Sequence, residues 1–309
     1  SFGGNPNNVT IFGQSAGGCS VVALMASTPA ANLFSRAWAM SPSLLQLRTH
    51  VEAEEAMAQF FEAAHVDSLN DLKALTTQQI IDATAQMFLN VDNYISTFSP
   101  TRGGSALPET VYEASAKSQV PLVVGTNRDE NRLWAVLNPQ PLEISGAKEF
   151  FDQAFRELSS DAWTTYEQLM GESSPVQIVS SMQTDRDFRV PAWQLCDVRS
   201  EAGIKTWMYW FTWPTPIFDG VLGCCHALDL PFMFDNLDKP NVELFTGTDP
   251  VRSKISGHFT TELIKFAKTG EVSWPNYTPS SRSTLRIDVE TEVLSEPDPV
   301  IRNLWKRIS

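Results

Sequence analysis

Residues 9–18, Val-Thr-Ile-Phe-Gly-Gln-Ser-Ala-Gly-Gly, constrain the fold more than any other stretch of the chain. A β-branched and aromatic run leads into a serine between two glycines spaced G-x-S-x-G, and a helix-compatible run follows over residues 19–26. Strand, sharp turn and helix in that order are the setting of a nucleophile elbow, with Ser15 as the candidate nucleophile. The serine of such an elbow sits on a strained turn, so Gly13 and Gly17 are expected to let neighbouring backbone close in. The helix that follows aims free N–H groups and its positive dipole end at Ser15, which favours an oxyanion there. An ordinary strand-to-helix turn whose serine only caps the helix fits the same residues equally well.

The rest of the 309-residue chain can bury a large core, being 42% hydrophobic with 9 Trp and 18 Phe. A net charge of −13 argues against a nucleic-acid or anionic-membrane surface, which clustered Lys and Arg would bind. Cys19, Cys196, Cys224 and Cys225 show no metal-ligand spacing, and the adjacent pair makes a poor disulfide framework, so free thiols are expected. No run of 18 apolar residues is present. Ser1 rather than Met opens the chain shortly before a core strand, as expected of the later part of a longer polypeptide.

Periodicity predicts strands at 36–40, 120–124, 205–213, 284–287 and 292–294. In the third, Trp207, Tyr209 and Phe211 share one face and Met208 and Trp210 the other. Helices are expected over 51–64, 77–87 (with Thr76 as N-cap), 147–170, 176–202 with a break near Pro191, 253–268 stopping at Gly270, and a last one ending in Trp305 and Lys306. Strands alternating with long helices, some strands apolar throughout, indicate an α/β fold with a mostly parallel sheet.

A serine nucleophile needs a base and a carboxylate to orient it. Of four histidines, His50 and His65 lie at helix ends and His258 lies inside a helix. His226 follows the strand 205–213 and a loop containing Gly220 and Gly223, where an α/β enzyme places chemistry. The carboxylate candidates Asp129 and Glu130 follow the strand 120–124. Serine, acid, histidine is the chain order of an α/β hydrolase.

The stretch Phe2 to Gly18 resembles the signature of the type-B carboxylesterase family, which includes bacterial p-nitrobenzyl esterases, cholinesterases and related lipases. The resemblance runs on through Arg36-Ala37, Ser41, Leu107-Pro108, the Gly125-Thr126-Asn127-Arg128-Asp129-Glu130 run, residues 223–234, and Asp298-Pro299 with Arg302 and Trp305. It implies an α/β-hydrolase fold over residues 1–309, a single domain apparently lacking its amino-terminal strands, because the family carries strands and a glycine-rich oxyanion loop before the elbow. It implies a serine carboxylesterase with Ser15 as nucleophile, Glu130 as acid and His226 as base. Ala16 would give its N–H to the oxyanion hole, and Ser41 would hydrogen-bond near the acid. Leu133 and Trp134 would line the substrate pocket, although core packing explains them nearly as well. The implied partner is a small-molecule ester, and the chemistry needs no metal or cofactor. Pro42, Gly103 and Asn131 depart from the family pattern. An inactive fragment and a cholinesterase-like binding protein are the rival readings, and an amidase or lipase would share the triad.

Overall fold

Side chains that alternate across buried strands build two cores, one on each face of a single sheet. The computed structural model describes residues 3–89 and 97–308. Its strands are β1 Thr10–Gln14, β2 Arg36–Met40, β3 Leu122–Asn127, β4 Thr206–Phe211, β5 Thr284–Ile287 and β6 Glu292–Leu294. They lie side by side in chain order; β1 to β5 are parallel and β6 closes antiparallel on β5. The architecture is an α/β-hydrolase fold with helices on both faces of a mostly parallel sheet.

Strand β2 shows the division. Ala37 and Ala39 face one core with the helices Ala16–Ala26, Ile144–Phe155, Ser159–Met170, Val190–Glu201 and Pro299–Lys306. Trp38 and Met40 face the other, with the helices Leu230–Met233 and Val251–Thr269. Strand β4 follows the expected pattern, Trp207, Tyr209 and Phe211 in the second core and Met208 in the first. Both faces are covered, so these strands need no polar alternation.

Helix ends follow local chemistry. Thr76 caps Thr77–Phe88 through a reciprocal capping box with Gln79, and Gly270 ends Val251–Thr269 in the left-handed region at φ 76°. Three expectations need correction. Strand β3 starts at Leu122 and runs through Gly125 to Asn127 instead of stopping at the glycine. Gly125 is there for space, since a Cβ would lie 2.2 Å from the Tyr209 ring. The helix expected over 147–170 is two helices, broken where Arg156 takes φ 51°. Conversely, the rod expected to break near Pro191 runs on without a break. A π turn at Asp185–Arg189, closed by a bond from Val190 N–H to the Asp185 carbonyl, lies just ahead of the proline and joins Pro175–Thr184 to Val190–Glu201. The wider turn accommodates the N–H that Pro191 lacks.

In a parallel sheet the carboxyl ends of the strands share one edge, and there the loops after β1, β2, β3 and β4 converge.

Candidate active site

Ser15 follows β1 directly and has φ 58° and ψ −120°, a conformation that costs an ordinary residue free energy. Its N–H donates to the Met40 carbonyl at 2.9 Å, pinning the turn to the end of β2. The side chain makes no capping bond to the helix Ala16–Ala26, so the helix-cap alternative does not describe this serine. Gly13 is required, because a Cβ there would stand 2.3 Å from the Gly17 carbonyl oxygen. The second space-saving glycine is Gly18 rather than Gly17. A Cβ on Gly18 would lie 2.7 Å from the Met40 carbonyl oxygen, whereas one on Gly17 would meet nothing within 4 Å. Ala16 is the first residue of the helix, so its N–H is among the donors a helix start leaves free.

The turn after β3 separates the two carboxylate candidates. Glu130, fully buried, receives the Asn127 N–H on Oε1 at 2.7 Å and contacts His226 Nδ1 through Oε2 at 2.6 Å. Asp129 points elsewhere: it accepts from Cys224 N–H at 2.8 Å and pairs with Arg128 at 2.9 Å and Arg132 at 3.5 Å. That clamp requires Gly223, whose φ is 58° and whose Cβ would fall 2.5 Å from an Asp129 oxygen. Asp129 thus fastens the histidine loop to the β3 turn, and Glu130 meets the histidine.

The other ring nitrogen of His226, Nε2, lies 3.0 Å from the Gln14 side-chain amide nitrogen. An amide nitrogen only donates, so Nε2 accepts and the ring proton sits on Nδ1, facing Glu130. Among the described residues no hydrogen bond joins Ser15 to His226. Sequence reasoning missed Gln14, although its place beside Ser15 was in plain view.

Behind Glu130 lies a second buried carboxylate. Asp229 accepts from Tyr209 Oη at 3.1 Å and from Asn127 Nδ2 at 3.4 Å. Burial first, and then the negative charge of Glu130, push its carboxyl up to about 6. Ser41 does not take the role the resemblance implied. Its N–H donates to the Gly125 carbonyl at 2.8 Å, and its buried hydroxyl has no partner among the described residues. The Asn127 N–H contacts the Glu130 carboxylate instead, because the tight turn after β3 brings that N–H directly onto it.

Leu133 and Trp134 part company. Leu133 packs against the second core, while Trp134, 37% exposed, stands with its ring centroid 4.9 Å from that of His226. Phe188, on the π turn, reaches the same imidazole at 5.0 Å and stacks on Trp134. Nothing in the local pattern pointed to Phe188. All four cysteines are free and buried, and burial raises the thiols of Cys19 and Cys225 to about 12. Among the described residues no cluster of ligating side chains could hold a metal, and no helix is long and apolar enough to cross a membrane.

Known proteins of related sequence and structure place the chain in a family. The para-nitrobenzyl esterase of Bacillus subtilis is 31% identical over 96% of this chain and 62% of its own length. The phenmedipham hydrolase of Pseudarthrobacter oxydans is 26% identical over 97% of this chain and 64% of its own. A Geobacillus stearothermophilus carboxylesterase structure superimposes with a TM-score of 0.83 at 27% identity, covering 98% of this chain and 65% of that one. The chain therefore spans a little under two thirds of the length of these relatives. The sequence model of the carboxylesterase family matches residues 1–302, and to that family the chain belongs.

Proposed function

We propose that the protein is a serine esterase that hydrolyses small carboxylic esters through an acyl-enzyme. Ser15 is the nucleophile, His226 the general base and Glu130 the acid that orients it. The observation that supports this best is the 2.6 Å contact between Glu130 Oε2 and His226 Nδ1, made at the ends of neighbouring strands beside the elbow.

In this reading Ser15 Oγ bonds to the ester carbonyl carbon as His226 Nε2 takes its proton. The imidazolium, neutralised by Glu130, then protonates the departing alcohol as its C–O bond breaks. Water next gives a proton to Nε2 and attacks the acyl carbon, releasing the acid and returning the proton to Ser15. The Ala16 N–H faces the developing oxyanion. Gln14 has to swing away first, because Nε2 has one lone pair to offer. Trp134 walls the ester site, with Leu133 backing it from the core. Small aryl esters are the substrates to try first, given relatives named for para-nitrobenzyl ester and phenmedipham hydrolysis.

Labelling with a fluorophosphonate, followed by mapping the modified residue by mass spectrometry, tests the assignment. Modification at Ser15 that disappears in His226→Ala supports it. An unlabelled chain that circular dichroism shows to be folded would overturn it.

A further inference from the structure

Phe188 makes a contact that the scheme above does not use. The ring is 4% exposed, and its centroid lies 5.0 Å from the His226 imidazole at an interplanar angle of 40°. Trp134 takes a similar pose at 4.9 Å and 37°, and the two aromatic rings are nearly parallel, 6.1 Å apart. The imidazole is therefore bordered by two tilted aromatic rings, one of them deeply buried.

How Phe188 gets there explains the π turn. A π turn holds one more residue than an α turn, so neighbouring side chains can serve two directions. Asp185 and Arg189, at its two ends, turn toward buried Tyr166, the partly exposed Asp298 and each other, with contacts of 2.6 to 2.7 Å. Phe188, between them, reaches His226. Asn131 ties this turn to the acid loop: its N–H donates to Thr184 Oγ1 at 3.0 Å and its side-chain amide to Asp187 at 3.3 Å. The distance from Phe188 to the base is thus held from both sides.

We propose that Phe188 is a positioning residue acting through His226, its buried π face favouring the imidazolium that forms when the base takes the Ser15 proton. The proposal rests on the esterase reading above. A neutral imidazole needs only an apolar neighbour, which a leucine supplies equally well. A cation gains from the negative face of an aromatic ring within about 6 Å, and gains more where water is excluded.

The charges around the ring leave this contribution readable. Glu130 and Asp229 are the carboxylates that bear on His226. In the β3 turn, Asp129 is paired with Arg128 and Arg132. On the π segment Asp185 is paired with Arg189, and Asp187 with Arg186. Gln14 on β1 is neutral, and neither Phe188→Leu nor Phe188→Trp alters any of these groups.

The test is the protonation of His226 in Phe188→Leu and Phe188→Trp, followed by NMR of the imidazole nitrogens and assigned with His226→Gln; the kcat–pH profile on a p-nitrophenyl ester is recorded beside it. Phe188→Leu should move the titration midpoint to lower pH by about 0.3–1 unit and lower kcat about two- to tenfold, while Phe188→Trp stays close to the parent. Phe188→Met serves if the leucine variant does not fold. An unmoved or raised midpoint in a folded leucine or methionine variant would overturn the proposal, because loss of packing alone carries no preference for the neutral ring. The NMR titration needs no turnover. A parent chain that hydrolyses nothing, with a midpoint that still falls in Phe188→Leu, would sink the esterase reading and support the Phe188 contact.

Discussion

Gln14 occupies the nitrogen of His226 that a serine base must offer: its amide lies 3.0 Å from Nε2, while Nδ1 is held by Glu130 at 2.6 Å. The ring is fixed in one tautomer from both sides, as proton abstraction at Nε2 requires. Replacing Gln14 by Glu sets a carboxylate against Nε2 and favours the charged ring. The acidic limb of kcat/KM should then move to higher pH by about one unit. A pH–rate profile identical to the parent would show that Gln14 leaves Nε2 free in solution.

Asp129 and Glu130 are adjacent, and their substitutions should fail in different ways. Glu130→Gln keeps the shape but leaves the base with the wrong proton donor, so kcat should fall by about 10³–10⁴ with the fold intact. Asp129→Asn weakens the clamp on Arg128, Arg132 and the Cys224 N–H, costing about 1–3 kcal/mol of stability, with a much smaller loss of kcat. Kinetics and urea unfolding on the two variants separate the roles. Equal kinetic losses would contradict the division.

Two glycines of the elbow should respond oppositely to alanine. At Gly13 the new methyl would stand 2.3 Å from the Gly17 carbonyl, so Gly13→Ala has to push the helix off the strand. A stability loss of about 3 kcal/mol or more, with loss of fluorophosphonate labelling, is expected. Gly17→Ala adds a methyl in open space on a helix, and should be neutral or stabilising by up to about 1 kcal/mol. Thermal unfolding of the pair checks this, and equal destabilisation would refute it.

Asp229 should leave a signature in stability against pH. Its carboxyl is raised from 3.8 to about 6, so between those values the folded chain holds the proton more tightly than the unfolded chain does. The stability it contributes is full below about pH 4, falls as pH rises, by about 3 kcal/mol in all, and is level above pH 6. Asp229→Asn should remove that slope. Urea midpoints at pH 4, 5, 6 and 7 measure it, and parallel slopes in parent and variant would rule it out.

The sequence by itself determined most of the elements and the faces of the strands. Residues 36–40, 284–287 and 292–294 read as strands and are strands, and Trp207, Tyr209 and Phe211 sort to one side of the sheet. These features are local: side-chain alternation, capping boxes and a glycine after a helix act within a few residues, so the order of residues encodes them. Ser15 and His226 stand out as candidates for the same reason, each marked by a turn after a strand. Tertiary structure decided which atoms meet. Asp129 and Glu130 differ by one position in a turn, and only the approach of the 223–226 loop directs one to Cys224 and the other to His226. Gln14 and Phe188 gain their meaning from a ring 212 and 38 residues away. A π turn carries no periodicity that composition reveals, and only the packed strands show that the buried Ser41 hydroxyl has no partner among the described residues. Contacts across such separations are set by how strand ends converge at one edge of a sheet, a property of the packed whole that no window of sequence contains.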